Sequence, residues 1–184
     1  MINFIKENIP FVVLIGQILA LTLVVVYFFP KKFGTANTFI EKYSVHIGFL
    51  YAFLSLCGSL FYSDILGYEP CKLCWWQRIF MYPLVLMFFL AILKKDRKIF
   101  RYGLLLGIIG ALLALNHYIL QVTGSSILPC SAIGYSVSCS KLFVLSYGYI
   151  TIPLMAFTAF FGIIMSMLFT RRHFKTDAIS NPRD

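Results

Sequence analysis

Four of the five cysteines stand where thiol–disulfide chemistry could run. Cys71 and Cys74 form a Cys-Lys-Leu-Cys unit, and Cys130 and Cys139 stand further on with eight residues between them. Thiol exchange needs a thiolate as nucleophile. A helix that begins at Cys-x-x-Cys offers its sulfurs unpaired backbone N–H groups and the positive end of its dipole, and both favour the anion. Arg78 follows Cys74 by four residues and Cys71 by seven, so the three share one helix face. A cation there can stabilise a thiolate at Cys74 or an anionic oxygen on an electron acceptor. Gln77 beside it can donate or accept a hydrogen bond. His117, flanked by Asn116 and with Gln121 one turn on, can take or deliver the protons that accompany two-electron transfer. A flat apolar ring could lie between Arg78 and His117, against Trp75, Trp76 and Tyr82.

The elements that must position these residues are legible from composition. The chain has 184 residues, is 60% hydrophobic and only 12% charged, about half the charge of an ordinary soluble domain. Five apolar stretches are long enough to cross a bilayer: Ile9–Phe29, Val45–Ser63, Trp75–Leu93, Tyr102–Val122 and Tyr149–Phe169. They must be helices, because open strands cannot satisfy their backbone in lipid. The fold class is therefore all-α, a polytopic membrane helix bundle. The net charge of +9 is topological rather than a nucleic-acid surface. Assigning connections alternately to two sides puts Lys31, Lys32, Lys42, Lys94, Lys95, Arg97, Lys98, Arg101, Arg171, Arg172, Lys175 and Arg183 together. Only Lys6, Lys72 and Lys141 fall opposite. By the positive-inside bias the N-terminus and the four paired cysteines face outward and the C-terminus inward. Outside a bacterial cytoplasmic (inner) membrane is an oxidising compartment, where disulfides persist. The first stretch is longer than a signal-peptide core and lacks an obvious small-residue cleavage site before Lys31, which predicts a retained helix.

Residues 1–44 read as an N-terminal transmembrane helix with its connection, 45–170 as the core and 171–184 as a cytoplasmic tail. Gly34–Asn37 is expected to break the chain after the first helix, and Gly67–Pro70 to precede the third. The short Lys94–Lys98 turn makes helices three and four antiparallel neighbours. Lys141–Tyr149 is expected to lie in the membrane interface, and the tail from Lys175 to fray. Cys57 reads as a small buried hydrophobe inside the second helix. Pro83 is expected to kink the third helix. Gly103, Gly107 and Gly110 are expected to allow close packing of the fourth. A four-cysteine zinc site fits poorly, because the Cys130–Cys139 spacing is not that of a zinc knuckle, so no metal is expected. Two purely structural disulfides in a non-catalytic partner-binding or assembly factor are the main rival; the ring closed by Cys-x-x-Cys is too small to stabilise much. An outward reductant transporter would need cysteines reachable from inside, and Cys57 alone does not supply them.

The run Cys71-Lys72-Leu73-Cys74-Trp75-Trp76-Gln77-Arg78-Ile79-Phe80-Met81-Tyr82-Pro83 resembles the signature of the DsbB disulfide-bond formation family. Asn116-His117-Tyr118-Ile119-Leu120-Gln121 and Ile150-Thr151-Ile152-Pro153 resemble its shorter BdbC-type branch. The resemblance spans Val45 to Phe169. It implies a four-helix core, here with one extra N-terminal transmembrane helix. It also implies a quinone-dependent protein-disulfide oxidoreductase that reoxidises a DsbA-like thioredoxin-fold carrier and so supports disulfide formation in exported proteins. Cys130 and Cys139 would exchange with the carrier, while Cys71 and Cys74 would pass electrons to ubiquinone or menaquinone. Arg78, Gln77 and His117 would bind the quinone. A vitamin-K-epoxide-reductase-like enzyme is a mechanistic neighbour, and the Gln77-Arg78 context favours the DsbB side.

Overall fold

A computed structural model describes residues 2–124, 130 and 138–180. They form five long helices: α1 (Ile2–Phe28), α2 (Gly34–Leu60), α3 (Lys72–Lys94), α4 (Phe100–Thr123) and α5 (Ile152–Ser180). A π-helical turn, Phe61–Ile65, extends α2. Each of the five helices is long and apolar enough to cross a membrane, and no strand occurs among the described residues, only one bridge between Ser146 and Ile150.

The helix ends have local causes. Pro30 cannot continue α1, and a short turn over Phe29–Phe33 leads into α2. Gly34–Asn37 is thus the first turn of α2 and not the break itself, and Val45 lies well inside that helix. The connection between the π-helical turn and α3 uses Gly67 at φ +68°, a left-handed conformation that glycine adopts without strain. Helix α3 stops at Lys95, also left-handed, where the Asp96 N–H reaches back to the Ala91 carbonyl at 2.9 Å. The Asp96 carboxylate then accepts the Lys98 N–H at 2.8 Å, and α4 returns antiparallel beside α3. Gly124 closes α4 by donating to the Leu120 carbonyl at 2.9 Å.

Helix α5 is the centre of the bundle, packing on α1, α2 and α4. Of its apolar stretch 56% is buried, against 22% for α1. In lipid the drive to pack is close contact more than escape from water, and small residues provide it here. A Cβ on Gly110 would enter the ring of fully buried Phe160, and one on Gly162 would meet the Tyr51 ring at 2.5 Å. The expected close packing along α4 is therefore present. Polar groups within the bundle pair with one another, as where Thr170 donates to Ser44 Oγ at 2.8 Å.

At α5 both expected boundaries shift as well. Helix α5 begins at Ile152 and not Tyr149, because Ser146–Ile150 forms a tight turn with Tyr147 and Gly148 at positive φ. The same helix continues through Lys175 to Ser180, so the tail is helical that far. Helical hydrogen bonding outlasts the apolar pattern that located the span. Lys141–Tyr149 is non-helical and exposes Leu142, Leu145, Tyr147 and Tyr149. Arg183 and most of the connection between Gly124 and Ser138 lie outside the described residues.

Candidate active site

Helix α3 starts at the first cysteine pair. Cys71 occupies the capping position in extended backbone, its carbonyl taking the Trp75 N–H at 3.1 Å. Cys71 Sγ lies 3.2 Å from Cys74 Sγ, and both are free thiols. Cys130 and Cys139 are joined as a disulfide with Cα atoms 6.2 Å apart, within the normal range for such a bond. Cys71, Leu73 and Cys139 form one buried cluster, with Cys74, Cys130 and Leu120 against it. The two pairs, separated in sequence by most of α3 and all of α4, therefore meet in space.

His117 sits at the junction, only 1% exposed. Its Nε2 lies 3.1 Å from the Cys139 carbonyl oxygen and 3.6 Å from Cys71 Sγ, and its Nδ1 lies 3.0 Å from Gln77 Nε2. The carbonyl can only accept, so Nε2 carries the proton, and the Gln77 amide donates to Nδ1. The ring is thereby held between α3 and the loop that carries Cys139. Gln121 adds a second tie, donating to the Lys141 carbonyl at 3.2 Å. Phe143 stacks on Tyr68 and Tyr68 on Tyr62, at 4.9 and 5.9 Å, so the loop also rests on the π-helical turn.

Hydrogen-bond donors gather on Cys71. The Cys74 thiol donates to it first, and His117 Nε2–H faces it second; together they hold the Cys71 thiol well below its ordinary range despite burial. Sequence reasoning expected the thiolate at Cys74 beside Arg78, but a sequence does not show that His117 points at the other sulfur. Replacing His117 with phenylalanine is expected to move the first thiolate titration to higher pH. The thiolate, lost as pH falls, would then be lost sooner. Ultraviolet thiolate absorbance of the reduced protein, with Cys130 and Cys139 both changed to serine, measures this. An unmoved titration would remove His117 from the account.

The second sulfur faces elsewhere. Cys74, Gln77 and Arg78 line a cavity of about 440 Å³ whose remaining walls are mostly apolar. Arg78 donates through Nη2 to the Ser59 carbonyl on α2 at 3.2 Å, and its guanidinium lies 5.3 Å from the Trp75 ring. Ser59 Oγ and Tyr82 OH, 3.3 Å apart, add polar groups to the same wall. Of the residues expected around an acceptor, Cys74, Gln77, Arg78 and Tyr82 line the cavity. His117 lies behind Gln77 and outside the lining, while Trp75 and Trp76 are exposed. Cys57 corrects an expectation: it is exposed and contributes to the cavity wall, because its helix position turns toward the cleft and not toward α5. Cys71, His117 and Cys139 bring potential metal donors within 4.8 Å of one another; Cys139 sulfur is bonded to Cys130 in this state.

Residues 41–170 match the family described as disulfide bond formation protein DsbB. A probable disulfide formation protein of Oceanobacillus iheyensis is 44% identical over 66% of this chain and 83% of its own length. An SPbeta prophage-derived disulfide bond formation protein B of Bacillus subtilis is 40% identical over 76% of this chain and 95% of its own length. Disulfide bond formation protein C of the same species is 41% identical over 67% and 88%. No solved structure matches the chain.

Proposed function

This chain belongs to the DsbB family of disulfide bond formation proteins, and we propose that within it the chain carries electrons from an extracytoplasmic thioredoxin-fold carrier to a membrane quinone. A multi-pass membrane protein with a disulfide-forming role is the common ground. One observation supports the finer reading: Cys71 packs on the loop disulfide while its partner Cys74 opens on an apolar cavity that also holds a cation.

The steps follow from that division. A carrier thiolate attacks the Cys130–Cys139 disulfide; the carrier leaves oxidised and two loop thiols remain. With Cys71 and Cys74 joined, the Cys139 thiolate attacks Cys71, its neighbour in the buried cluster, and expels Cys74 as a thiolate beside Arg78. Cys130 then attacks Cys139, reforming the loop disulfide and releasing Cys71, whose thiolate is held by Cys74 and His117. Rejoining Cys71 and Cys74 releases two electrons and two protons.

A quinone supplies, when bound, an acceptor for both. The cavity suits such a group: its walls are apolar, its volume fits a ring with the start of a tail, and the Arg78 guanidinium and Gln77 amide offer donors to ring oxygens. The positive-inside pattern supports an extracytoplasmic position for the cysteines, where the carrier would be.

The test uses detergent-purified protein, reduced, mixed with a soluble quinone analogue and followed by quinone absorbance. Stoichiometric reduction with formation of both disulfides is expected. Persistent thiols beside unreduced quinone would end the quinone reading and favour structural disulfides in a partner-binding protein.

A further inference from the structure

Helix α1 lies outside the residues that match the family, which begin at 41. It is nonetheless built into the bundle. Ala20, Leu23 and Val26 are buried, and Leu23 and Val26 belong to one cluster with Met165 and Phe169 of α5. Polar contacts pin α1 along its length. Tyr51 OH donates to the Gly16 carbonyl at 2.8 Å, and Tyr149 OH donates to Gln17 Oε1 at 3.0 Å. Gln17 Nε2 donates to Thr158 Oγ1 at 3.3 Å, and Arg172 donates to the Tyr27 carbonyl at 3.2 Å while covering that tyrosine's ring at 4.2 Å. In the membrane such contacts fix rotation about the helix axis.

That rotation aims one stripe inward. Ile5, Ile9, Val12, Val13 and Gly16 recur at helical spacing and line the cavity that holds Cys74 and Arg78. Across from them stand α2, α3 and α5. Without α1, lipid would form that wall. We propose that this stripe is a specificity-determining wall of the electron-acceptor cavity, setting which quinone ring and tail fit beside Cys74. The inference rests on the quinone reading above and adds to it residues from a helix beyond the family core. The side chains are all aliphatic, so they discriminate by volume and shape.

Crowding and relieving the wall should act in opposite directions. Binding is read by quenching of Trp75 and Trp76 fluorescence, with Cys74→Ser in every sample so that no turnover intervenes. Two acceptors are compared, a tail-less benzoquinone and a naphthoquinone carrying a short isoprenoid tail. Val13→Phe is expected to weaken binding of the tailed naphthoquinone by about tenfold, the scale of overpacking an apolar site, and that of the benzoquinone much less. Ile9→Ala, which makes room, is expected to shift the preference toward the larger ligand and serves if Val13→Phe fails to fold. Ile18→Phe, on an exposed position outside the cavity, should change neither. If both wall variants keep the parent's affinity for both ligands, α1 is no specificity wall, while the quinone reading stands. If the parent's affinity for either quinone is undetectable, and reduced parent leaves quinone unreduced, both readings fall together.

Discussion

Replacing Cys74 with serine is expected to stop electron transfer to quinone, by about 10³-fold or more as for loss of a reacting group, and to accumulate a Cys71–Cys139 bond. Serine keeps the size of the side chain but cannot form a disulfide. Cys71 then has no partner within its own pair. Cys139 Sγ lies within 4.8 Å of Cys71 Sγ, and His117 contacts both residues. Attack by the Cys71 thiolate on Cys139 expels Cys130 as a thiolate. One disulfide is consumed and one formed, so the exchange needs no outside oxidant. Peptide mapping under non-reducing conditions, after alkylation of free thiols, would identify the linkage and the alkylated Cys130. Cys71→Ser should also stop quinone reduction but give no bond between the pairs. A Cys74→Ser protein that reduces quinone within about tenfold of the parent rate, or that links Cys71 to Cys130, would refute the assigned order of sulfurs.

That order illustrates what a sequence carries and what it withholds. The spacing of Cys71, Cys74 and Arg78 is a local, helical fact, so a shared face could be read directly. Apolar length likewise located all five helices, because lipid imposes a length on any span. Residues whose role depends on rotation about a helix axis were less legible. His117 reads in the sequence as a residue facing the acceptor, yet it turns toward Cys71 and the Cys139 carbonyl, a choice made by the loop packing against it. Cys57 faces the cavity for the same kind of reason: over residues 53–60 only Ser55 and Ser59 are polar, too few to tell the cleft side of α2 from its lipid side in the sequence. The stripe of α1 could be drawn from spacing, but only the contacts of Tyr51, Gln17 and Arg172 decide where it points. The helical extension past Lys175 adds only Thr-Asp-Ala-Ile-Ser, too short and too mixed to carry an apolar pattern.

Arg78→Ala is expected to slow quinone reduction by about 10²–10³-fold, the usual effect of removing one strong donor from a developing anion, while leaving exchange between the cysteine pairs intact. Among the described residues, the Arg78 guanidinium bonds the Ser59 carbonyl and covers Trp75, away from Cys71. The loss should not reflect unfolding. The cation is costly at membrane depth, so deleting it relieves desolvation, and the Ser59 carbonyl still receives the Ser63 hydroxyl at 3.2 Å. Lysine at this position retains charge but not the planar fork, so it cannot hold Ser59 and face an acceptor oxygen at once, and an intermediate rate is expected. Single-turnover oxidation of the reduced Cys71–Cys74 pair, over quinone concentrations up to saturation, separates the two ways Arg78 could act. A lower limiting rate means the guanidinium stabilises charge as electrons leave Cys74, whereas a rise in apparent KM alone means it only binds the oxidised ring. An Arg78→Ala protein matching the parent in both would reduce this arginine to a cation snorkelling at the membrane edge, and the cavity would need another source of positive charge.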